Sequence, residues 1–154
     1  MPTPELVVFV GLQGAGKTSF YRAAFASSHA LVSKDRFPNA RRPATRQARE
    51  VEAALAAGRS VVVDNTNPTR AERAALIALG RRHRARVVGY FFRSELQACL
   101  ARNAARSGRA RIPDKGLFAT RARLELPAPD EGFDALYYVA PERRRFAVSR
   151  WRQP

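Results

Sequence analysis

An α/β fold, with a mostly parallel sheet flanked by helices, is predicted by three features of the sequence. Apolar runs rich in β-branched residues recur at Leu6–Val10, Ala30–Ser33, Ser60–Val63, Val87–Phe92 and Leu136–Val139. Segments with helical spacing lie between them, the alternation that builds strand–helix–strand units. The first run, LVVFV, has no polar alternation, as expected for a strand covered on both faces. A chain of 154 residues has the size of one compact domain, taken as 1–154, and buries roughly two-thirds of its unfolded surface.

The first strand stops at Gly11, and Gly16–Ala26 reads as a helix. A second helix covers Thr45–Ala57, with Val51, Ala54 and Leu55 on one face and Gly58 closing it. The third strand ends in a polar turn, Asp64-Asn65-Thr66-Asn67-Pro68, where Asn67 and Pro68 set the chain direction. Thr69 caps the next helix, which runs to about Gly80 or His83. Ser94 is expected to cap a helix whose Leu96, Cys99, Leu100 and Asn103 share a face. Gly108, Pro113 and Gly116 break a basic segment, a short helix spans Leu117–Leu124, and Arg145–Arg150 has the pattern of one more strand.

Charge is the outlying property. Lys and Arg number 28 against 13 Asp and Glu, a net charge of +15. Only Lys17, Lys34 and Lys115 are lysines, so the surplus is arginine. Such a surplus reflects either coding bias or a phosphate-bearing partner, because guanidinium forks match phosphate oxygens bidentately. The lone Cys99 excludes an intramolecular disulfide and a cysteine-cluster metal site, and His29 and His83 are too few for a histidine-rich one. Cys99 and His29 read as packing residues, His83 as a surface group and Trp151 as a side chain docked on the domain. The N-terminus lacks a basic signal-peptide region and no apolar run reaches ~18 residues, which predicts a cytoplasmic protein without a membrane segment.

Gly11-Leu12-Gln13-Gly14-Ala15-Gly16-Lys17-Thr18 fits G-x-x-x-x-G-K-[ST] in full. Glycines let backbone N–H groups turn inward around phosphate, and a helix starting near Gly16 points its positive end there. Lys17 reaches β- and γ-phosphates, and the Thr18 hydroxyl is a ligand for Mg²⁺. The motif sits between a strand and a helix, the context it requires, and makes Gly11, Gln13, Gly14, Ala15, Gly16, Lys17, Thr18 and Ser19 a nucleotide-phosphate site. Asp35 lies just beyond the second strand, on the sheet edge that carries this loop. A carboxylate there can accept the proton of an attacking hydroxyl, or else it is a capping or ion-paired residue beside Lys34 and Arg36. Asp64 ends a valine strand, where an acid holds Mg²⁺ directly or through water, or where it closes an Asx turn. Arg102 and Arg106 are four apart on one helix face; they either clamp a transferring phosphoryl group or lie on a solvated basic face.

In this order, Gly11–Thr18, Lys34-Asp35-Arg36, Asp64-Asn65-Thr66-Asn67-Pro68, Arg102-Asn103-Ala104-Ala105-Arg106 and Ile112-Pro113 resemble the kinase module of the 5′-hydroxyl polynucleotide kinases. The likeness runs from about Leu6 to Val139, without the phosphatase domain often joined to that module, and Pro127–Phe133 is similar to the region after the lid in DNA-repair members. It implies a P-loop NTPase-type parallel sheet of strand order 2-3-1-4-5 and an arginine-bearing lid. It implies ATP with Mg²⁺ as donor and a nucleic-acid 5′-hydroxyl as acceptor, in repair or end-processing, with a separate phosphatase or ligase as a possible partner. By the same resemblance Lys17 and Thr18 serve the donor phosphates, Asp35 is the general base, and Arg102 and Arg106 belong to the lid. Asp64 matches the acid after the third strand, a metal ligand or an organiser of the site. Some phage-type members carry an arginine three residues after the base; here that residue is Pro38, leaving Arg36, Arg41 and Arg42 as candidate nucleic-acid contacts.

Two other readings compete. A small-molecule kinase shares the loop and the base, but six cationic residues and one acid between Lys34 and Arg49 exceed what a small neutral acceptor needs. An ATP-binding adaptor or switch shares the loop alone and has no use for Asp35 or the arginine pair.

Overall fold

The uninterrupted apolar run near the N-terminus becomes a central strand. The computed structural model describes residues 3–152, apart from the side chain of residue 109; residues 1, 2, 153 and 154 of the expected 1–154 domain lie outside the described residues. Strand β1 (Glu5–Val10) pairs in parallel with β3 (Val61–Val63) on one side and with β4 (Arg86–Phe92) on the other. With β2 (Ala30–Val32), β5 (Ala135–Glu142) and β6 (Arg145–Arg150), the sheet order is β2-β3-β1-β4-β5-β6. The first five strands are parallel in the expected order, and β6 adds an antiparallel edge by folding back on β5.

Helices α1 (Lys17–Ala24), α2 (Pro43–Ala56), α3 (Arg70–Arg82), α4 (Leu96–Ala104) and α5 (Asp114–Arg123) cover both faces. Because strand side chains alternate, Leu6, Val8 and Val10 meet Val51 and Leu55 of α2 and Leu76, Ile77 and Leu79 of α3 on one face. Val7 and Phe9 point the other way, towards Phe20 of α1, Cys99 of α4 and Leu117 of α5. Both sides of β1 are therefore dry, which is why its sequence shows no alternation. Trp151 docks on the first of these cores, its ring 5.5 Å from that of Phe91.

Several expected boundaries move for identifiable reasons. Helix α2 begins at Pro43 instead of Thr45, since proline suits a first helical turn, where its missing N–H costs nothing. Helix α5 begins at Asp114 instead of Leu117, with the acid favourably placed in the first turn. Thr69 does cap α3, its hydroxyl accepting from the Glu72 N–H at 3.2 Å. Ser94 does not cap α4. Its Oγ accepts the Leu12 N–H at 3.0 Å and donates to the Phe92 carbonyl at 2.7 Å, so it serves the loop after β1, and Glu95 takes the cap position without a side-chain bond. Arg102 and Arg106 do not share a helix face, because α4 ends at Ala104. Asn103 turns the chain there by bonding Ile112 twice, at 2.7 Å to its carbonyl and 3.0 Å from its N–H.

The largest fully buried side chain is a charged one, Arg73 of α3. Its Nε and Nη2 donate to the two carboxylate oxygens of Glu131 at 2.8 and 3.1 Å, and Nη1 donates to the Asn67 carbonyl at 3.0 Å. Glu131 also accepts the Ala128 N–H at 2.8 Å. The two side chains are 0% and 2% exposed, so neither charge has water to fall back on. Removing one partner strands the other. Arg73→Leu or Glu131→Gln is expected to lower unfolding free energy by about 3–5 kcal/mol, with Leu at both positions recovering much of it. Urea titration reads this directly, and a loss under ~1 kcal/mol in the single variants would contradict it.

Candidate functional site

The loop between β1 and α1 is fixed from three sides. The Gly11 N–H donates to the Thr66 carbonyl at 3.0 Å, and Leu12 is held by Ser94. Gly14 has φ +81°, and a Cβ there would come within 2.7 Å of the Cys99 carbonyl oxygen of α4. Gly16 caps α1 with φ +96°, and a Cβ there would press on the Phe146 ring at 3.2 Å. Both positions combine a left-handed backbone with a close neighbour, so only glycine fits without displacement. The Ala15 N–H is taken by the Leu12 carbonyl at 3.1 Å, whereas Lys17, Thr18 and Ser19 open a helix whose first N–H groups have no intrahelical acceptor. The Gln13 side chain points away from this cradle, its Nε2 donating to Thr120 Oγ1 of α5 at 3.0 Å.

Lys17 folds back over the loop, its buried ammonium donating to the Gly11 and Leu12 carbonyls at 2.8 and 2.7 Å. Burial lowers its pKa to about 8, against the opposing pull of Asp64 and Asp35. Thr18 Oγ1 donates to Asp64 Oδ2 at 2.7 Å, which joins the loop to the end of β3; Asp64 does not close an Asx turn. Burial pushes the Asp64 carboxyl up, partly offset by the Thr18 bond and the Lys17 charge.

Asp35 sits in a short 3-10 turn, Lys34–Arg36, immediately after β2. Its side chain is exposed and forms no ion pair or hydrogen bond among the described residues, yet its charge acts on both Lys17 and Asp64. The charge of Arg106 acts on the same two groups, and Arg102 Nη1 donates to the Gly14 carbonyl at 3.0 Å. Lys17, Asp35, Asp64 and Arg106 are therefore close enough to feel one another's charge, and Arg102 touches the loop itself. Arg36 is exposed with Nη1 on the Leu31 carbonyl at 3.2 Å. Arg41 and Arg42 are exposed at the start of α2 and line one depression with Arg46 and Arg49.

The turn Asp64–Pro68 contributes more than its sequence suggests. Asn65 Oδ1 accepts the Lys34 N–H at 3.0 Å, and Asn67, at φ 42°, donates from Nδ2 to the Phe9 carbonyl at 2.7 Å. The Pro68 carbonyl accepts the Glu125 N–H at 2.7 Å. Gln47, Thr120 and the Arg73–Glu131 pair are the supporting residues that sequence reading missed. Polar side chains on helices are the only trace of Gln47, Arg73 and Thr120, and Glu131 lies in a short 3-10 turn, Pro129–Glu131.

No group of three or more His, Cys, Asp and Glu side chains suited to a metal occurs among the described residues. Thr18 and Asp64 offer one hydroxyl and one carboxylate side by side, a donor set too small for a closed cage. It fits Mg²⁺, which keeps most of its waters and takes one or two protein ligands beside phosphate oxygens.

The lowered Lys17 pKa has a measurable sign. In the free chain Lys17 is charged below about pH 8 and loses its proton above it. Phosphate oxygens against the ammonium would raise its pKa again, so binding of a nucleotide at the loop is expected to take up a proton in the window from about pH 8 upward. Calorimetry of ATP binding in buffers of different ionisation enthalpy should show uptake at pH 8.5 that vanishes in Lys17→Met. No uptake in the native protein would contradict this.

The model of the AAA domain family matches residues 6–127. Among solved structures, Kti12 of Chaetomium thermophilum in complex with ADP-AlF3 superposes with a TM-score of 0.72 at 19% identity, over 88% of each chain. A gluconokinase from Sinorhizobium meliloti gives 0.65 at 19% identity, over 91% of this chain and 84% of that one. A fungal RNA kinase gives 0.70 at 16% identity, over 90% of this chain but 38% of that one. At these identities the structures speak for the fold, which is of the P-loop kinase type. The sheet order, the phosphate-loop sequence and the family match agree, and the chain belongs to the AAA domain family.

Proposed function

We propose that the protein transfers the γ-phosphate of ATP to the 5′-hydroxyl end of a polynucleotide. The observation that carries this reading is the exposed Asp35 carboxylate between the phosphate loop and an arginine-lined rim on α2. No acidic residue stands in the first turn of α2, and Arg42 occupies its N-cap. Cations there oppose the helix dipole, a local cost that an anionic partner offsets. The RNA kinase among the structural neighbours is consistent with a polynucleotide acceptor, and the gluconokinase keeps a small-molecule acceptor as the second reading.

In this mechanism the acceptor hydroxyl gives its proton to Asp35 as its oxygen bonds to the γ-phosphorus. The bond from that phosphorus to the bridging oxygen of ADP breaks in line. Lys17, Arg102 and Arg106 hold the charge that spreads over the phosphoryl oxygens. Thr18 and Asp64 would hold Mg²⁺, which would supply neutralisation of phosphate charge.

Radiolabelled transfer to 5′-hydroxyl DNA and RNA oligonucleotides, against nucleosides and sugars, tests the reading. Asp35→Asn keeps shape but cannot take a proton, so ATP affinity should stay within a few-fold while transfer falls ~10²-fold. A parallel loss of ATP binding would make Asp35 a structural or metal residue instead. Oligonucleotide affinity should fall with salt at about −0.7 in log–log slope per phosphate contacted, and Arg41→Ala with Arg42→Ala should flatten that slope by one to two phosphates' worth. Equal phosphorylation of a nucleoside and a strand of about ten nucleotides at every salt concentration would favour the small-molecule kinase.

A further inference from the structure

One buried polar side chain has no part in the mechanism above. Gln47 is 5% exposed on the inward side of α2, between the outward Arg46 and Arg49. Its Oε1 accepts a hydrogen bond from Asn65 Nδ2. Oδ1 of the same Asn65 amide accepts the Lys34 N–H at 3.0 Å and a longer bond from the Ser33 hydroxyl at 3.5 Å. Ser33 Oγ in turn accepts the Asp35 N–H at 3.3 Å. One asparagine thus fixes both N–H groups at the front of the turn that carries Asp35. The Lys34 N–H can only donate, so it sets the Asn65 oxygen towards the turn, and Gln47 Oε1 holds the NH₂ that this leaves on the other side.

The Asp35 carboxylate forms no hydrogen bond or ion pair of its own among the described residues, so its position follows from the backbone that these bonds hold. We infer that Gln47 is a positioning residue that, through Asn65, sets the Asp35 turn from α2 and so ties the arginine-bearing helix to the base. The inference rests on the proposed role of Asp35. It also gives α2 two tasks on opposite sides. Arg42, Arg46 and Arg49, spaced four and three apart, face outward as one stripe, and Gln47 faces inward. A strand seated on the stripe and the base that deprotonates its end are then registered by one rigid helix.

Gln47→Met removes the acceptor at nearly constant volume. Transfer to a 5′-hydroxyl oligonucleotide should lose about tenfold in kcat, with KM for ATP and for the strand within twofold, as for a misplaced catalytic group. Gln47→Glu, which keeps an oxygen facing Asn65, should recover most of the rate. In an Asp35→Asn background Gln47→Met should cost less than about twofold, because both act through one group; additive losses would overturn the inference. Amide exchange supplies a readout independent of substrate. The Lys34 and Asp35 amides should exchange at least about tenfold faster in Gln47→Met while β1 amides do not change, and unchanged exchange at Lys34 would equally overturn it. If the native protein phosphorylates no oligonucleotide, the proposed function fails, and the exchange measurement still decides whether Gln47 holds the turn. Should Gln47→Met not fold, Asn65→Ala carries the same two measurements.

Discussion

Where β1 and β3 end side by side, buried and half-buried backbone polar groups emerge from the sheet, and the turn Asp64–Pro68 satisfies them. The Phe9 carbonyl is taken by Asn67, the Gly11 N–H by Thr66, and the Lys34 N–H by Asn65. The Asn67 carbonyl is taken in turn by the buried Arg73. Each such group left unpaired costs about 1–3 kcal/mol, so a turn of another shape loses several at once. Asn67 accepts the left-handed backbone that this shape requires, as asparagine does more readily than most residues. The phosphate loop, the Asp35 turn and the segment after α5 are each anchored to these five residues.

The two faces of the sheet differ in the material that holds them. The α2–α3 side is packed mainly by valine, leucine and isoleucine. The α1 side is aromatic: Phe9, Phe20, Phe25, Tyr90 and Phe92 meet mostly at tilted or edge-on angles with ring centroids 4.9–6.1 Å apart. That cluster seats the helix whose first turn carries Lys17 and Thr18, so the loop rests on a stiff support. Helices α4 and α5 are joined to the same support through Gly14 against Cys99, Arg102 on the Gly14 carbonyl and Gln13 on Thr120. The loop, α4 and α5 therefore belong to one packed unit.

The alternation of strands and helices, and the strand and helix that flank the phosphate loop, were legible because they rest on patterns that local chemistry enforces: a dry central strand, a glycine loop and an apolar stripe. The strand order followed from the family resemblance. The glycine spacing also placed Lys17, Thr18 and, through the strand it ends, Asp64. Ser94 misled because a serine before a helix has two uses, and the need of the Leu12 N–H outweighed the cap. Arg102 and Arg106 misled because helical spacing assumes that the helix continues, whereas Asn103 ends it by bonding Ile112. Gln47 and Arg73 were invisible for a different reason. Each is a polar residue on a helix that looks ordinary until its partner, Asn65 or Glu131, arrives from 18 or 58 residues away.

Phe146 of β6 forms a wall of the phosphate loop, touching the space beside Gly16 and stacking edge-on to Phe20 at 5.1 Å. These residues are made far apart in time. Because position 146 follows position 16 by 130 residues, a ribosome adding about 5–20 residues per second needs roughly 6–26 s to supply the wall after the loop has been made. During that interval Phe20 and the glycines of the loop lack their last neighbour, and the aromatic cluster is open at its edge. Vectorial synthesis therefore leaves the nucleotide loop without this wall until β6 has been made.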